Sequence, residues 1–197
     1  MRHHRLPALA LIAAVPVLTL GPSTALARDL ILTGGEFGVG YTLPLSSLAG
    51  LLGFFAVGLW AGQTGRGAIV WQWPAVALAG AVFASVISQA GVIIPHTEQG
   101  LMVALGVVGG LMVFGNRLPW LNPLAVVALV GLFEGYPLVG AMHHSLDIGS
   151  WVGFSVAALL AMAGGLGVAL MMPSLFGFRL FGAGIAISGI AMLFDKI

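Results

Sequence analysis

The chain has 197 residues, of which 59% are hydrophobic and only 7% are charged, which is too little charge to cover a water-soluble protein of this size. The formal net charge of +1 argues against a nucleic-acid partner, and the lack of cysteine excludes disulfides, thiolate metal sites and cysteine nucleophiles. Long apolar runs and 30 glycines instead predict an all-α membrane protein with closely packed helices.

The N-terminal segment, residues 1–27, has the features of a cleaved signal peptide. Arginines near the start precede an apolar stretch over residues 6–20, and small residues lead up to Ala27. Prolines interrupt the apolar stretch, which argues against a transmembrane helix. We expect cleavage after Ala27, so that residues 28–197 form a single transmembrane domain whose N-terminus lies outside the cytoplasm.

Apolar runs separated by Gly, Pro and charged residues predict that this domain is a bundle of six transmembrane helices. The predicted spans are residues 43–62, 69–93, 99–115, 119–140, 150–171 and 175–194. The loops between them are short, and the sequence contains no clear internal repeat or second domain.

The distribution of arginine predicts the orientation of the spans. Arg66, Arg117 and Arg179 fall in the first, third and fifth loops, whereas the second and fourth loops contain no Lys or Arg. The positive-inside rule makes the arginine-bearing loops cytoplasmic, in agreement with an exported N-terminus. We therefore expect a multi-pass protein of the bacterial inner membrane with both mature termini on the outer side. Its partners would be the lipid bilayer and either a membrane complex or further copies of the chain.

Glycines and tryptophans predict how the helices pack and where they meet the membrane surface. Small residues spaced four apart line one face of a helix and let a neighbour approach closely. This spacing occurs at Gly58 and Gly62, at Gly106 and Gly110, and at Gly131 and Gly135. The tryptophans lie near predicted span ends, which is typical of anchors at the membrane interface; they are Trp60, Trp71, Trp73, Trp120 and Trp151.

Glu134 is the ionisable residue that lies well inside a predicted span, in the outer half of the fourth. A carboxylate at such a depth costs a few kcal/mol on insertion scales, which makes it a functional hypothesis by default. Pro137, three residues later, disturbs the helix and frees a backbone carbonyl nearby. Glu134 is thus either a site residue or a hydrogen-bonding group that holds helices together.

The first span begins with a second group of polar residues at the same outer face. Ser46 and Ser47 could hydrogen-bond between helices or line a crevice. If the first and fourth helices face each other, an outward-opening and weakly polar crevice would form; its predicted residues are Tyr41, Ser46, Ser47, Glu134 and Tyr136.

The outer loops contain further groups suited to a transition metal. His143 and Asp147 are four residues apart and would share a face of a helical turn. Imidazole and carboxylate groups suit nickel, zinc or copper, although histidines in loops are commonly just solvated. The candidate metal ligands are Glu134, His96, His143, His144 and Asp147. No hydrolase, protease or phosphate-binding motif is present in the sequence, so we do not expect an enzyme.

Several segments resemble the HupE/UreJ family of small membrane proteins. Residues 43–70, LPLSSLAGLLGFFAVGLWAGQTGRGAIV, are similar to that family's first span and the loop after it. Residues 100–113, GLMVALGVVGGLMV, resemble its third span, and residues 129–141, LVGLFEGYPLVGA, its fourth. The resemblance implies a cleaved signal peptide, six spans and a role in importing nickel for hydrogenase or urease.

The chain departs from the family at the metal ligands. The resemblance implies a histidine, an aspartate and a histidine in the first span, where this chain has Leu43, Ala49 and Gly50. In the fourth span it implies two histidines and a glutamate, where this chain has Glu134, Leu138 and Ala141. Glu134 alone retains a donor group, and one carboxylate does not replace the missing imidazoles.

The resemblance therefore implies an uptake permease for nickel or cobalt, or a degenerate relative of one. No resident cofactor is expected, and Ni²⁺ or Co²⁺ would be bound only transiently. Two alternatives remain at this point: a non-transporting accessory subunit of a membrane complex, and a channel for a small neutral solute.

Overall fold

The computed structural model describes residues 24–64, 69–114, 122–141, 148–172 and 175–195. Within these ranges all regular structure is α-helical. The helices are α1 (Thr24–Ser46), α2 (Leu48–Thr64), α3 (Ile69–Gln89), α4 (Thr97–Phe114), α5 (Pro123–Ala141), α6 (Ile148–Met171) and α7 (Leu175–Asp195). Cleavage of the signal peptide stays a prediction, because residues 1–23 lie outside these ranges and α1 begins ahead of the predicted cleavage point.

Most of these helices are long and apolar enough to cross a membrane. In the part of the chain that the structure describes, α3, α4, α6 and α7 each meet that requirement, and the bent pair α1 and α2 adds a fifth if it counts as one span. The apolar stretch of α5, Pro123–Val139, is shorter. The outward surface is also apolar, with Phe83, Ile187 and Phe194 more than half exposed. The prediction of an all-α, multi-span membrane protein is therefore confirmed, while the number of six spans stays a prediction.

The predicted first span is wrong at its beginning, because residues 43–46 belong to the preceding helix. The axis turns by 82° between Gly34–Ser46 and Leu48–Gln63. Pro44 has no N–H to continue the hydrogen bonding of α1, so the helix is weakened just ahead of the turn. Ser47 then starts α2, since its Oγ accepts a hydrogen bond from the backbone N–H of Gly50 at 2.9 Å.

Close glycine contacts organise the helices into pairs. Helix α3 packs most extensively on α5, α4 on α7, and α6 on both α1 and α2. Gly131 of α5 lies directly on the Ala77 carbonyl of α3, and Gly58 of α2 lies on the Met162 carbonyl of α6. A side chain at either glycine would collide with backbone atoms, so the backbones of the paired helices are in direct contact.

The contacts also define the relative directions of the paired helices. Along α3, Ala77 meets Gly131 and Ala81 meets Gly135, so α3 and α5 are parallel. On α4 the order is reversed, because Gly109 meets Gly182 whereas Gly106 meets Gly189, so α4 and α7 are antiparallel. Helices that alternate in direction along the chain produce this combination.

Two of the three predicted glycine faces make the expected contacts. Gly58 and Gly62 face α6, and Gly131 and Gly135 face α3. The third is shifted, because a Cβ at Gly110 would meet nothing within 4 Å, while Gly109 touches the backbone of α7. Successive positions on an α-helix point roughly 100° apart, and the contacts along α4 follow Gly109 rather than its neighbour Gly110.

The prediction that Trp60 and Trp73 are interfacial anchors is wrong. Both rings are buried and meet edge to face, with their centroids 4.8 Å apart, where α2 and α3 come together. Trp71, in contrast, is 74% exposed and lies on the outer surface. Residues Trp71 and Trp73 are two positions apart on one helix and therefore point to different sides.

Candidate functional site

Glu134 lies in the interior of the helix bundle. Its side chain is only 5% exposed, and its Oε1 atom has no hydrogen-bond partner among the described residues. A buried polar atom without a partner costs free energy, so it needs an explanation in terms of function or of an unseen ligand.

The residues around Glu134 contact three different neighbours. The ring of Phe133 covers Gly100 of α4, and Gly135 lies against Ala81 of α3. The carboxylate of Glu134 itself faces Gly50, close to the start of α2. This short stretch of α5 therefore positions the carboxylate where several helices meet.

Gly50 provides the space that the carboxylate occupies. A Cβ atom at Gly50 would lie 2.8 Å from Oε2 and 2.9 Å from Oε1 of Glu134, and 2.9 Å from the Pro44 carbonyl oxygen. Three oxygen atoms from α1 and α5 thus surround one point beside the break between α1 and α2. Any side chain at position 50 would have to displace them.

The side chains of the two serines at the break form hydrogen bonds with backbone groups. Ser46 donates a hydrogen bond to the Leu43 carbonyl at 2.7 Å, and Ser47 caps α2 through Gly50. Both side chains are exposed, so they form the outer edge of the break rather than a continuous polar lining. Tyr41 stacks on Phe37 one helical turn earlier, with ring centroids 5.8 Å apart.

Tyr136 is engaged elsewhere. Its hydroxyl donates to the Val92 carbonyl at 3.0 Å and accepts a hydrogen bond from the Ile94 N–H at 3.1 Å. These bonds attach α5 to the loop between α3 and α4. The structure thus brings Glu134 to the break that carries Ser46 and Ser47, but it does not direct the Tyr136 hydroxyl into the same crevice.

The predicted metal ligands form no cluster in the described ranges. His96 is exposed in the loop before α4, where its φ of 59° is unusual for a residue other than glycine. No group of three or more His, Cys, Asp or Glu side chains that could hold a metal occurs in the described part of the chain. His143, His144 and Asp147 fall outside them, so a metal site there stays a prediction.

Buried serines that the sequence interpretation missed hold the helices next to this site. Ser85 of α3 is fully buried, with its Oγ 2.8 Å from the Gly135 carbonyl and 2.9 Å from the Ala81 carbonyl. Ser150 of α6 is also fully buried and donates to the Glu36 carbonyl of α1 at 2.9 Å. A signal for Ser85 was present, because Ala77, Ala81 and Ser85 repeat at four-residue spacing as the glycines of α5 do.

The positions at which the family resemblance implies metal ligands are now apolar, with one exception. Leu138 is completely buried in the hydrophobic core, and Ala49 is a buried member of the same cluster. Gly50 and Glu134, which stand at two of those positions in different spans, are in contact. The absence of a side chain at Gly50 therefore leaves room for the carboxylate of Glu134.

Two comparisons with known proteins give matches to this chain. The family model described as HupE / UreJ protein matches residues 15–192. Protein HupE of Rhizobium leguminosarum bv. viciae is 26% identical over 164 residues, which cover 78% of this chain and 82% of that protein. No solved structure matches the chain. Because the family model covers almost the whole sequence, the chain belongs to the HupE/UreJ family.

Proposed function

We propose that this protein is an inner-membrane permease that takes up a transition-metal cation, nickel or cobalt, and that it catalyses no chemical reaction. The observation that carries the proposal is the Glu134 carboxylate, buried next to the break between α1 and α2 with an unpartnered oxygen. Membership of the HupE/UreJ family supports the same conclusion.

A buried carboxylate is expensive in a membrane, and a scaffold does not need one. Transfer of a charged side chain to the centre of a bilayer costs about 3 kcal/mol on insertion scales, so intramembrane carboxylates commonly mark ion pathways. Helices that are interrupted within the membrane frequently form the binding sites of transporters. Both features meet at Gly50 in this protein.

In the proposed orientation the arginine-bearing loops are cytoplasmic and the cation enters from the outer face. Ser46, Ser47 and Leu48 are exposed at the break, and Gly50 follows within one helical turn. A cation that arrives at these residues would meet the negative charge of Glu134. Uptake would then depend on this charge, even though the imidazoles implied by the resemblance are absent.

The test is uptake of radiolabelled nickel and cobalt by cells that express the wild-type chain, Glu134→Gln or Asp195→Asn. Asp195 is exposed at the end of α7, so Asp195→Asn removes the same charge away from the site. We expect uptake to fall to background in Glu134→Gln and to stay at the wild-type level in Asp195→Asn. Equal uptake by all three proteins would reject the proposal.

A second candidate function is a non-transporting subunit of a larger membrane complex. The apolar side chains at Leu138 and Ala49 favour it, because they fill positions where the family resemblance implies metal ligands. This candidate predicts no metal uptake by the wild-type chain and recovery of a stoichiometric partner in mild detergent. A chain that purifies alone, or only with further copies of itself, would contradict it.

A further inference from the structure

We infer that the break between α1 and α2 binds a hard monovalent cation of the sodium type, held by the Glu134 carboxylate and the main-chain carbonyl of Pro44. The inference rests on the proposed function in that both assign Glu134 to cation binding. In a nickel or cobalt permease, this monovalent cation would exchange with the cargo at the same carboxylate.

The geometry gives the first argument. Oε1 and Oε2 of Glu134 and the carbonyl oxygen of Pro44 all lie within 3 Å of the point where a Gly50 Cβ would stand. The carboxylate and the partly negative carbonyl oxygen lie on the same side of Gly50, and a cation between them would be attracted by both. No described residue provides a hydrogen bond to Oε1 of Glu134, and this oxygen can therefore bind a cation.

The helix break provides the second argument. Pro44 belongs to the last turn of α1, where backbone carbonyls no longer meet the N–H groups of a following turn. These carbonyls also carry the negative end of the helix dipole, which attracts a cation. In interrupted transmembrane helices such carbonyls coordinate small cations.

The type of ligand atom gives the third argument. Carboxylate and carbonyl oxygens are hard ligands that suit alkali and alkaline-earth cations, whereas nickel and cobalt gain most from imidazole nitrogen. No metal-binding group of three His, Cys, Asp or Glu side chains exists in the described ranges. An oxygen-only site therefore favours a cation that does not need nitrogen ligands.

Charge balance decides between a monovalent and a divalent cation. Of the side chains that are buried in the described ranges, Glu134 is the one that can carry a charge. One carboxylate neutralises a resident monovalent cation completely, whereas a divalent cargo that passes Glu134 keeps a net positive charge and would be held there only transiently. An unpaired charge in that environment is strongly unfavourable.

The experiment measures thermal unfolding and ²²Na⁺ binding of the purified full chain in detergent. Unfolding is followed in sodium chloride and in choline chloride of equal ionic strength. We expect sodium to raise the unfolding midpoint of the wild-type protein relative to choline. The Glu134→Gln variant should lose this shift, and its sodium affinity should fall about 30-fold or more, as expected when one partner of a buried charge pair is removed.

A pair of glycine variants keeps the test independent of the carboxylate. Gly50→Ala places a methyl group among the three oxygens and should abolish sodium binding. Gly53→Ala, one turn later in the same helix, would meet Val130 Cγ1 at 3.3 Å and should retain sodium binding. Loss of binding in both variants, or in neither, would overturn the assignment.

Three further outcomes separate the inference from the proposed function. Displacement of ²²Na⁺ by nickel at concentrations far below that of sodium would overturn the hard-cation assignment while leaving metal uptake intact. Identical behaviour of the wild-type chain in sodium and choline would also overturn it, whatever the uptake assay shows. Sodium binding without any nickel or cobalt uptake would support the inference and reject the proposed cargo.

Discussion

Helix α5 contacts α3 and α2 through glycine in both cases, but the two contacts differ in what the glycine faces. At the α3–α5 contact, Gly131 and Gly135 bring the two backbones together, and Ser85 adds a hydrogen bond between the helices. At the α2–α5 contact, Gly50 faces the two oxygens of a carboxylate instead. The first contact removes space between helices, whereas the second leaves room for a charge.

This difference separates stability from function within one helix. The α3–α5 contact serves packing. Every substitution that introduces a larger side chain there should reduce the free energy of unfolding. The α2–α5 contact retains an unpartnered oxygen and should therefore be less stable than an apolar replacement would be. The following substitutions test that contrast.

The largest effect is expected for Gly131→Ala in the α3–α5 contact. The new Cβ would collide with the Ala77 carbonyl, which belongs to the backbone and cannot rotate away. We expect the free energy of unfolding to fall by about 1 to 3 kcal/mol, the usual cost of overpacking, as measured by thermal unfolding in detergent. Gly110→Ala is the matched control, because nothing lies within 4 Å of a Cβ there. Equal destabilisation by both would contradict the assigned contact.

A smaller effect of opposite sign is expected for Glu134→Gln in the α2–α5 contact. In choline buffer without sodium, removal of the buried charge should raise the free energy of unfolding by about 1 kcal/mol, typical of stabilising changes at functional sites. The gain should shrink when sodium is present, because sodium stabilises only the wild-type protein. A variant that is less stable than wild type in choline would mean that the carboxylate has a structural role.

The smallest effect is expected for Ser85→Ala, again in the α3–α5 contact. Loss of a hydrogen bond between transmembrane helices costs about 0.6 kcal/mol on average. Ser155→Ala, a change of a half-buried serine on α6, is the control for loss of a hydroxyl. We expect metal uptake by Ser85→Ala to stay near the wild-type level, and a complete loss would place Ser85 in the transport pathway.

The sequence was informative wherever one physical effect dominates. Long apolar runs located the helices from residue 69 onward within a few residues, because the membrane sets their length. The glycine pairs of α2 and α5 were found for a similar reason, since nothing but close packing favours that spacing in lipid. The burial of Glu134 followed from its place inside an apolar run.

The parts that were missed depend on which helices become neighbours. The turn at Ser47 joins two segments that are each apolar, so hydropathy does not mark it. Trp60 and Trp73 look like interfacial anchors until α2 and α3 are seen to enclose them. Tyr136 is two residues from Glu134, yet its hydroxyl is hydrogen-bonded to the backbone of Val92 and Ile94. No spacing in the sequence could indicate these bonds.

Helix α6 has a consequence for how the break can respond to its ligand. It contacts the chain on both sides of Ser47, at Gly40 through Ser150 and at Gly58 through Met162. Helix α6 thereby holds α1 and α2 on either side of the bend. The bend cannot straighten unless α1 or α2 slides along α6. A substitution at Ser150 or Met162 would therefore change the environment of the Glu134 carboxylate without direct contact to it.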